Sequence, residues 1–240
     1  MRRVQRWLLV VYLVAIHGLL ALVLWKSDFV ELAALRLGVP APFRTEFPLH
    51  WLINLWVHRN IDAQVPDNAV VFIGDSVIEG VYVNGLARPA INYGVYGDTT
   101  LGVLRRLPSY QSLARAWAAV LLIGINDLDY RPAETIGPNY SKILEQLAGT
   151  RRVFAVGLPP VNPETKAFPT NDLLRTVNAT IASLCAGRAN CRYVDPWPAM
   201  IGSAGALRAE LLGGDGEHLN AAGNRILLRV IEQALDADKP

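Results

Sequence analysis

The sequence predicts an α/β fold: a three-layer α/β/α sandwich with a mainly parallel five-stranded sheet, preceded by one transmembrane helix. Three observations predict it. From residue 70 onward, short apolar runs alternate with longer stretches of helical periodicity, the pattern of a parallel sheet covered by helices. The first apolar run, Val70–Ile73, breaks abruptly into Gly74, Asp75 and Ser76, small and polar residues delivered at a strand end. Near the N-terminus, Trp7 to Trp25 contains no Asp, Glu, Lys or Arg over 19 residues.

At the helical rise those 19 residues extend about 28 Å, close to the hydrocarbon thickness of a bilayer. A cleaved secretory signal would have a shorter apolar region ending in small residues one apart. Here the run ends in Leu24, Trp25 and Lys26, so a retained anchor is expected, with Trp7 and Trp25 at the two interfaces. Arg2, Arg3 and Arg6 precede the run; Lys26, Asp28 and Glu31 follow it. The positive-inside bias then puts the N-terminus in the cytoplasm and the rest outside, in the periplasm or at the cell surface. His17, in mid-span, is given no role. The expected organisation is a cytoplasmic tip and anchor (1–26), a connector (27–64) and an α/β domain (65–240).

In the connector, Leu49, Leu52, Ile53 and Trp56 of the stretch Phe47–Asn60 fall at helical spacing, which predicts a short amphipathic helix packed on the domain or lying at the membrane surface. His50 and His58 read as surface or capping residues. After the turn at Val65–Ala69, strands are expected at Val70–Ile73, Ala90–Tyr93, Ala118–Ile123, Val153–Val156 and Arg192–Val194. Helices are expected at Leu101–Ala116, Ala133–Leu147, Asp172–Ala186 and Ala221–Leu235. The Pro-rich connection Gly157–Asn171 is long for a loop, and such loops at strand ends usually border the site.

The formal charge is +2, but residues 1–26 carry four basic side chains and no acid, which leaves 2 − 4 = −2 for the remainder. That balance argues against a nucleic-acid partner. Cys185 and Cys191 lie six apart in a turn; a small disulfide and two free thiols are both open readings. No Cys or His cluster has metal-ligand spacing.

Ligands of an open parallel sheet bind outside the carboxyl ends of its strands. The first strand delivers Ser76, the second is followed by Gly94 and Gly97, and the third by Gly124, Asn126 and Asp127. A serine nucleophile needs a base. Of four histidines, one is in the apolar span and two are in the connector, which leaves His218. Asp215, three residues earlier in a Gly-rich turn, can bend back to hold one ring nitrogen. Asp75 and Asp127 read as local hydrogen-bonding or capping residues.

The blocks "GDS", "NYGVYGDT", "GIND" and "DGEH", in this order over about residues 65–235, resemble those of the SGNH hydrolases, also called the GDSL family. The other common serine-hydrolase signature, Gly-x-Ser-x-Gly, does not fit, because Ile78 replaces its second glycine. The resemblance implies Ser76 as nucleophile and backbone oxyanion donor, Gly97 as second donor in preference to Gly94, and the Asn126 amide as third. It implies His218 as general base and acid, oriented by Asp215. Ile78 departs from the Thr or Ser of many members, a difference expected to affect substrate preference. The implied activity is hydrolysis of an ester through an acyl-serine intermediate, without metal or organic cofactor. Location favours O-acetyl or short acyl esters of envelope glycans or lipids as substrate. An acyltransferase using the same site and a non-catalytic binding module are the alternatives.

Overall fold

The computed structural model describes residues 2–26, 46–165, 168–203 and 205–238, apart from the side chains of Arg2, Trp25 and Lys26. Asp28, Glu31, the connector through residue 45, the side chains of Trp25 and Lys26, and Lys166 and Ala167 of the Pro-rich loop lie outside the described residues.

Among the described residues the strands are β1 (Val70–Gly74), β2 (Ala90–Gly94), β3 (Ala118–Leu122), β4 (Val153–Val156) and β5 (Cys191–Val194). Apolar residues run unbroken through β3 and β4 and through β1 up to its terminal Gly74, whereas β2 carries Asn92 and β5 carries Arg192. All pair in parallel, in the order β2-β1-β3-β4-β5. Every residue of β1, β3 and β4 is buried, as befits inner strands covered on both faces, whereas the edge strands β2 and β5 are only partly buried. The chain moves from β1 to β2 in one direction and from β2 to β3, β4 and β5 in the other. Right-handed crossovers therefore put helices on both faces, and the strand order reverses between β1 and β3, whose carboxyl ends are where a sheet of this kind opens its ligand crevice.

Among the described residues the helices are α1 (Arg2–Lys26), α2 (Leu49–Asp62), α3 (Ser76–Glu79), α4 (Thr100–Arg106), α5 (Ile136–Gln146), α6 (Asn171–Ala186), α7 (Trp197–Met200) and α8 (Ala221–Ala237). Side-chain caps start four of them: Asp75, Thr99, Thr170 and Asn220 accept from backbone N–H groups of α3, α4, α6 and α8. The helix expected over Leu101–Ala116 stops at Arg106 and continues as two 3₁₀ turns, Leu107–Ser109 and Gln111–Ala114. Pro108 explains the break: it has no N–H to donate to the carbonyl of Leu104 four residues back, so the α-helical ladder cannot continue through it, although Leu107 itself keeps helical geometry.

The chain divides into two compact units, Met1–Ile53 and Asn54–Pro240. In the first, the most apolar 18 residues within Arg3–Leu24 of α1 have a mean hydropathy of 2.5, and the helix is long and apolar enough to cross a membrane, properties that an anchor and a signal sequence share. In the second, Cys185 and Cys191 form a disulfide that ties the end of α6 to the start of β5.

Candidate active site

Gly74 ends β1 where no side chain fits: a β-carbon there would lie 2.2 Å from the carbonyl oxygen of Leu122. Asp75 then caps α3, its Oδ1 accepting from the Val77 N–H at 3.0 Å. This sharp strand-to-helix turn sets Ser76 at the first position of α3, half-buried at the crevice. Ile78 is fully buried against Gly74, so it faces the core and not a substrate, contrary to the expectation that it affects substrate preference.

The loop before α8 carries Asp215 and His218. Asp215 Oδ1 accepts from the N–H groups of Glu217 and His218 at 3.1 and 3.0 Å, and its Oδ2 lies 2.7 Å from His218 Nδ1. Gly213 donates to the His218 carbonyl at 2.6 Å, and Gly216 adopts φ +72° with its α-carbon against Thr165 of the Pro-rich loop. Burial raises the Asp215 pKa, but the two N–H groups and the imidazole outweigh it and hold the carboxyl at about 2. An ionised carboxylate only accepts, so His218 Nδ1 carries the proton. Nε2 is then the acceptor, 3.1 Å from Ser76 Oγ.

The residues after β2 and β3 are the remaining candidates. Gly97 takes φ +70°, with no atom within 4 Å of where a β-carbon would be, which keeps its surroundings open. The Asn126 amide donates one hydrogen to the Asp98 carbonyl at 3.0 Å, which fixes its plane and leaves its second hydrogen for another acceptor. Thus Ser76, His218 and Asp215 meet in one hydrogen-bonded chain, and Asn126 is tied to the residue next to Gly97. Gly94 has a different constraint: its α-carbon is pressed on the backbone of Ile78 and Glu79.

Sequence reasoning missed what lies beneath. Arg106 is fully buried and bonds Asp98, Tyr93, Tyr110 and Gly74. Its signal was present: Thr99, Val103, Arg106 and Tyr110 share one helical spacing, which puts a cation on an apolar stripe. Asp127, read as an ordinary turn residue or cap, is buried; it accepts from Thr100 N and Oγ1 at 2.7 and 2.5 Å and pairs with Arg131. His58 is not a surface residue either. It is 5% exposed and its Nδ1 lies 3.0 Å from the Tyr110 hydroxyl. The exposed Tyr96 ring stands 5.5 Å from the His218 ring. Among the described residues no three His, Cys, Asp or Glu are grouped to hold a metal ion.

The GDSL-like lipase/acylhydrolase family model matches residues 72–226. No curated protein matches the chain significantly. Among solved structures, a GDSL-like lipase from Bacteroides thetaiotaomicron is 22% identical, covering 78% of this chain and 98% of its own at a TM-score of 0.61. A Streptococcus pneumonia protein, provisionally described as a platelet activating factor, is 23% identical over 78% and 92% of the two chains, with a TM-score of 0.71. Axe2 from Geobacillus stearothermophilus, an acetylxylan esterase, is 16% identical over 69% and 93%, with a TM-score of 0.55. These likenesses extend over the same parallel-sheet fold, and the family match covers all four sequence blocks and the residues that meet at the crevice. The chain belongs to the GDSL-like lipase/acylhydrolase family, and is an ester-hydrolysing enzyme of the SGNH type.

Proposed function

We propose that this chain is a membrane-anchored serine esterase that acts on O-acetyl or short acyl esters of envelope glycans or lipids. The observation that carries the catalytic part is the continuous chain from the Asp215 carboxylate through His218 to the Ser76 hydroxyl. Ser76 Oγ attacks the ester carbonyl carbon while His218 Nε2 takes the hydroxyl proton. The oxyanion receives hydrogen bonds from the backbone N–H of Ser76 and Gly97 and from the free N–H of Asn126. His218 then gives the proton to the departing alcohol, leaving an acyl-serine. Water attacks the acyl carbon, His218 takes its proton, and the acid leaves with Ser76 restored.

Two features support the substrate reading. The α1 helix, as an anchor through Trp7–Trp25 with its N-terminus in the cytoplasm, would hold the hydrolase domain (65–240) outside the membrane by way of the connector (27–64), beside envelope esters. A fold neighbour, Axe2, is described as an acetylxylan esterase. Full-length protein in detergent micelles should release acetate from an O-acetylated polysaccharide faster than long-chain acid from phospholipid, and Ser76→Ala should abolish both. Faster release from phospholipid would overturn the substrate assignment; undiminished activity of Ser76→Ala would overturn the mechanism.

A further inference from the structure

Four acceptors converge on one buried guanidinium below the crevice. Arg106 Nε donates to Asp98 Oδ2 at 2.7 Å, Nη1 to the Tyr93 carbonyl at 2.8 Å and the Tyr110 hydroxyl at 3.0 Å, and Nη2 to the Gly74 carbonyl at 3.0 Å. Both side chains of the Arg106–Asp98 pair are 0% exposed.

These acceptors belong to different parts of the site. Gly74 is the last residue of β1, two before the nucleophile; Tyr93 is in β2; Asp98 follows Gly97 and holds the Asn126 amide through its own carbonyl. The loop between is tied in by the backbone: Val95 donates to the same Gly74 carbonyl at 3.0 Å, and Asp98 donates to the Val95 carbonyl at 3.1 Å. A planar fork with fixed donor directions suits this arrangement, because it sets the distances among its acceptors as well as neutralising Asp98. A lysine has the charge without the fork.

We propose that Arg106 is a positioning residue of the hydrolytic reaction, locking the end of the nucleophile strand to the loop that carries Gly97 and to the Asn126 amide. It touches no substrate. Its effect passes through the oxyanion donors, whose work is done in the transition state, so its loss appears in kcat and not in KM. The inference rests on the proposed roles of Gly97 and Asn126.

The test is steady-state hydrolysis of p-nitrophenyl acetate by full-length Arg106→Lys, Tyr110→Phe, Asn126→Ala and the Arg106→Lys/Asn126→Ala double variant, with rates expressed per folded protein from near-ultraviolet circular dichroism. Arg106→Lys should lower kcat by about 10- to 100-fold with KM within about threefold. Tyr110→Phe keeps the buried ion pair and the ring, and so remains a test should the lysine variant not fold. It should lower kcat by about three- to tenfold. In the Asn126→Ala background the Arg106→Lys loss should be smaller than in the wild type, because part of it passes through the Asn126 donor and only the part through the Gly97 loop and the end of β1 remains. A purely structural arginine would give additive losses. Wild-type kcat per folded Arg106→Lys or Tyr110→Phe, or full additivity, would overturn the inference. Wild-type kcat in Asn126→Ala would instead overturn the donor assignment on which it stands.

Discussion

Gly94, the last residue of β2, presses its α-carbon on the backbone of Glu79, the last residue of α3: a β-carbon at 94 would lie 2.2 Å from the Glu79 nitrogen. The two glycines of the second block therefore meet different needs. At Gly94 the obstacle is backbone, which cannot swing aside, and α3 carries Ser76 at its start. At Gly97 the space is open and φ is +70°. Gly94→Ala should destabilise the fold by about 1–3 kcal/mol in chemical denaturation, as overpacking does. Gly97→Ala should cost only the left-handed strain, about 1–2 kcal/mol.

Asp215 should matter for rate and little for folding. It is half exposed and holds its imidazole through one oxygen while the other anchors the loop. Asp215→Asn keeps an acceptor for the loop but offers His218 Nδ1 an amide in place of a charge. Kcat should fall by about 10²- to 10⁴-fold, with the denaturation midpoint nearly unchanged. With its pKa at about 2, Asp215 ionises below the ordinary carboxylate range, so it stays charged through the acid limb of the pH–rate profile. An acid limb near pH 4 that vanishes in Asp215→Asn would contradict this.

Two buried groups should make stability depend on pH with opposite signs. Burial, followed by the charge of Arg106, lowers His58 from 6.5 to about 4, and its ring faces Tyr93 and Tyr110. The unfolded chain thus binds more protons at this histidine, and stability is lost as pH falls from about 6.5 to about 4. Burial raises Asp75 from 3.8 to about 7, reinforced by Asp98 and Asp127 and opposed by the Val77 N–H and Arg106. Here the folded chain binds more protons, and stability falls as pH rises from about 4 to about 7. The wild-type profile should therefore be flatter than either variant's. Asp75→Asn, whose amide can still cap Val77, should gain stability relative to wild type as pH rises through this window; His58→Phe should gain relative to wild type as pH falls. Denaturation midpoints at pH 4.5, 5.5 and 7 measure both.

The disulfide lies at the far end of the sheet from the crevice, since Cys191 begins β5 and the site gathers where strands end. Its stabilisation comes mainly from restricting the unfolded chain over a short loop. Replacing Cys185 and Cys191 together by Ser should cost about 2 kcal/mol while leaving kcat per folded protein unchanged. A large fall in kcat would show that the two ends communicate.

Much of this was legible in the sequence because it depends on local pattern. The apolar runs at 70, 118 and 153 are strands within a residue of where hydrophobicity alone placed them, since parallel strands buried on both faces have little freedom in composition; the edge strand at 90 is also within a residue of its expected bounds. Ser76 and His218 could be picked out because few residue types can do the chemistry and only one histidine remained. Pro108, visible in the sequence, was outweighed by the apolar periodicity around it. His58, Asp62, Tyr93 and Ser112 were hidden for another reason. Tyr93 Oη and the Ser112 backbone N–H each lie 3.0 Å from an Asp62 oxygen, partners 31 and 50 residues away, and no local period records such a meeting. The disulfide was undecidable until the Cα–Cα separation of 5.1 Å was known.

Fluorophosphonate labelling followed by peptide mass spectrometry tests the central claim most directly, because the reagent needs an activated serine and leaves its mass on the residue attacked. The account predicts a single adduct on Ser76 in the wild-type chain, with labelling slowed by at least about 100-fold in folded His218→Ala, which lacks the base. An adduct on another residue, or Ser76 labelled at an undiminished rate without the imidazole, would contradict it.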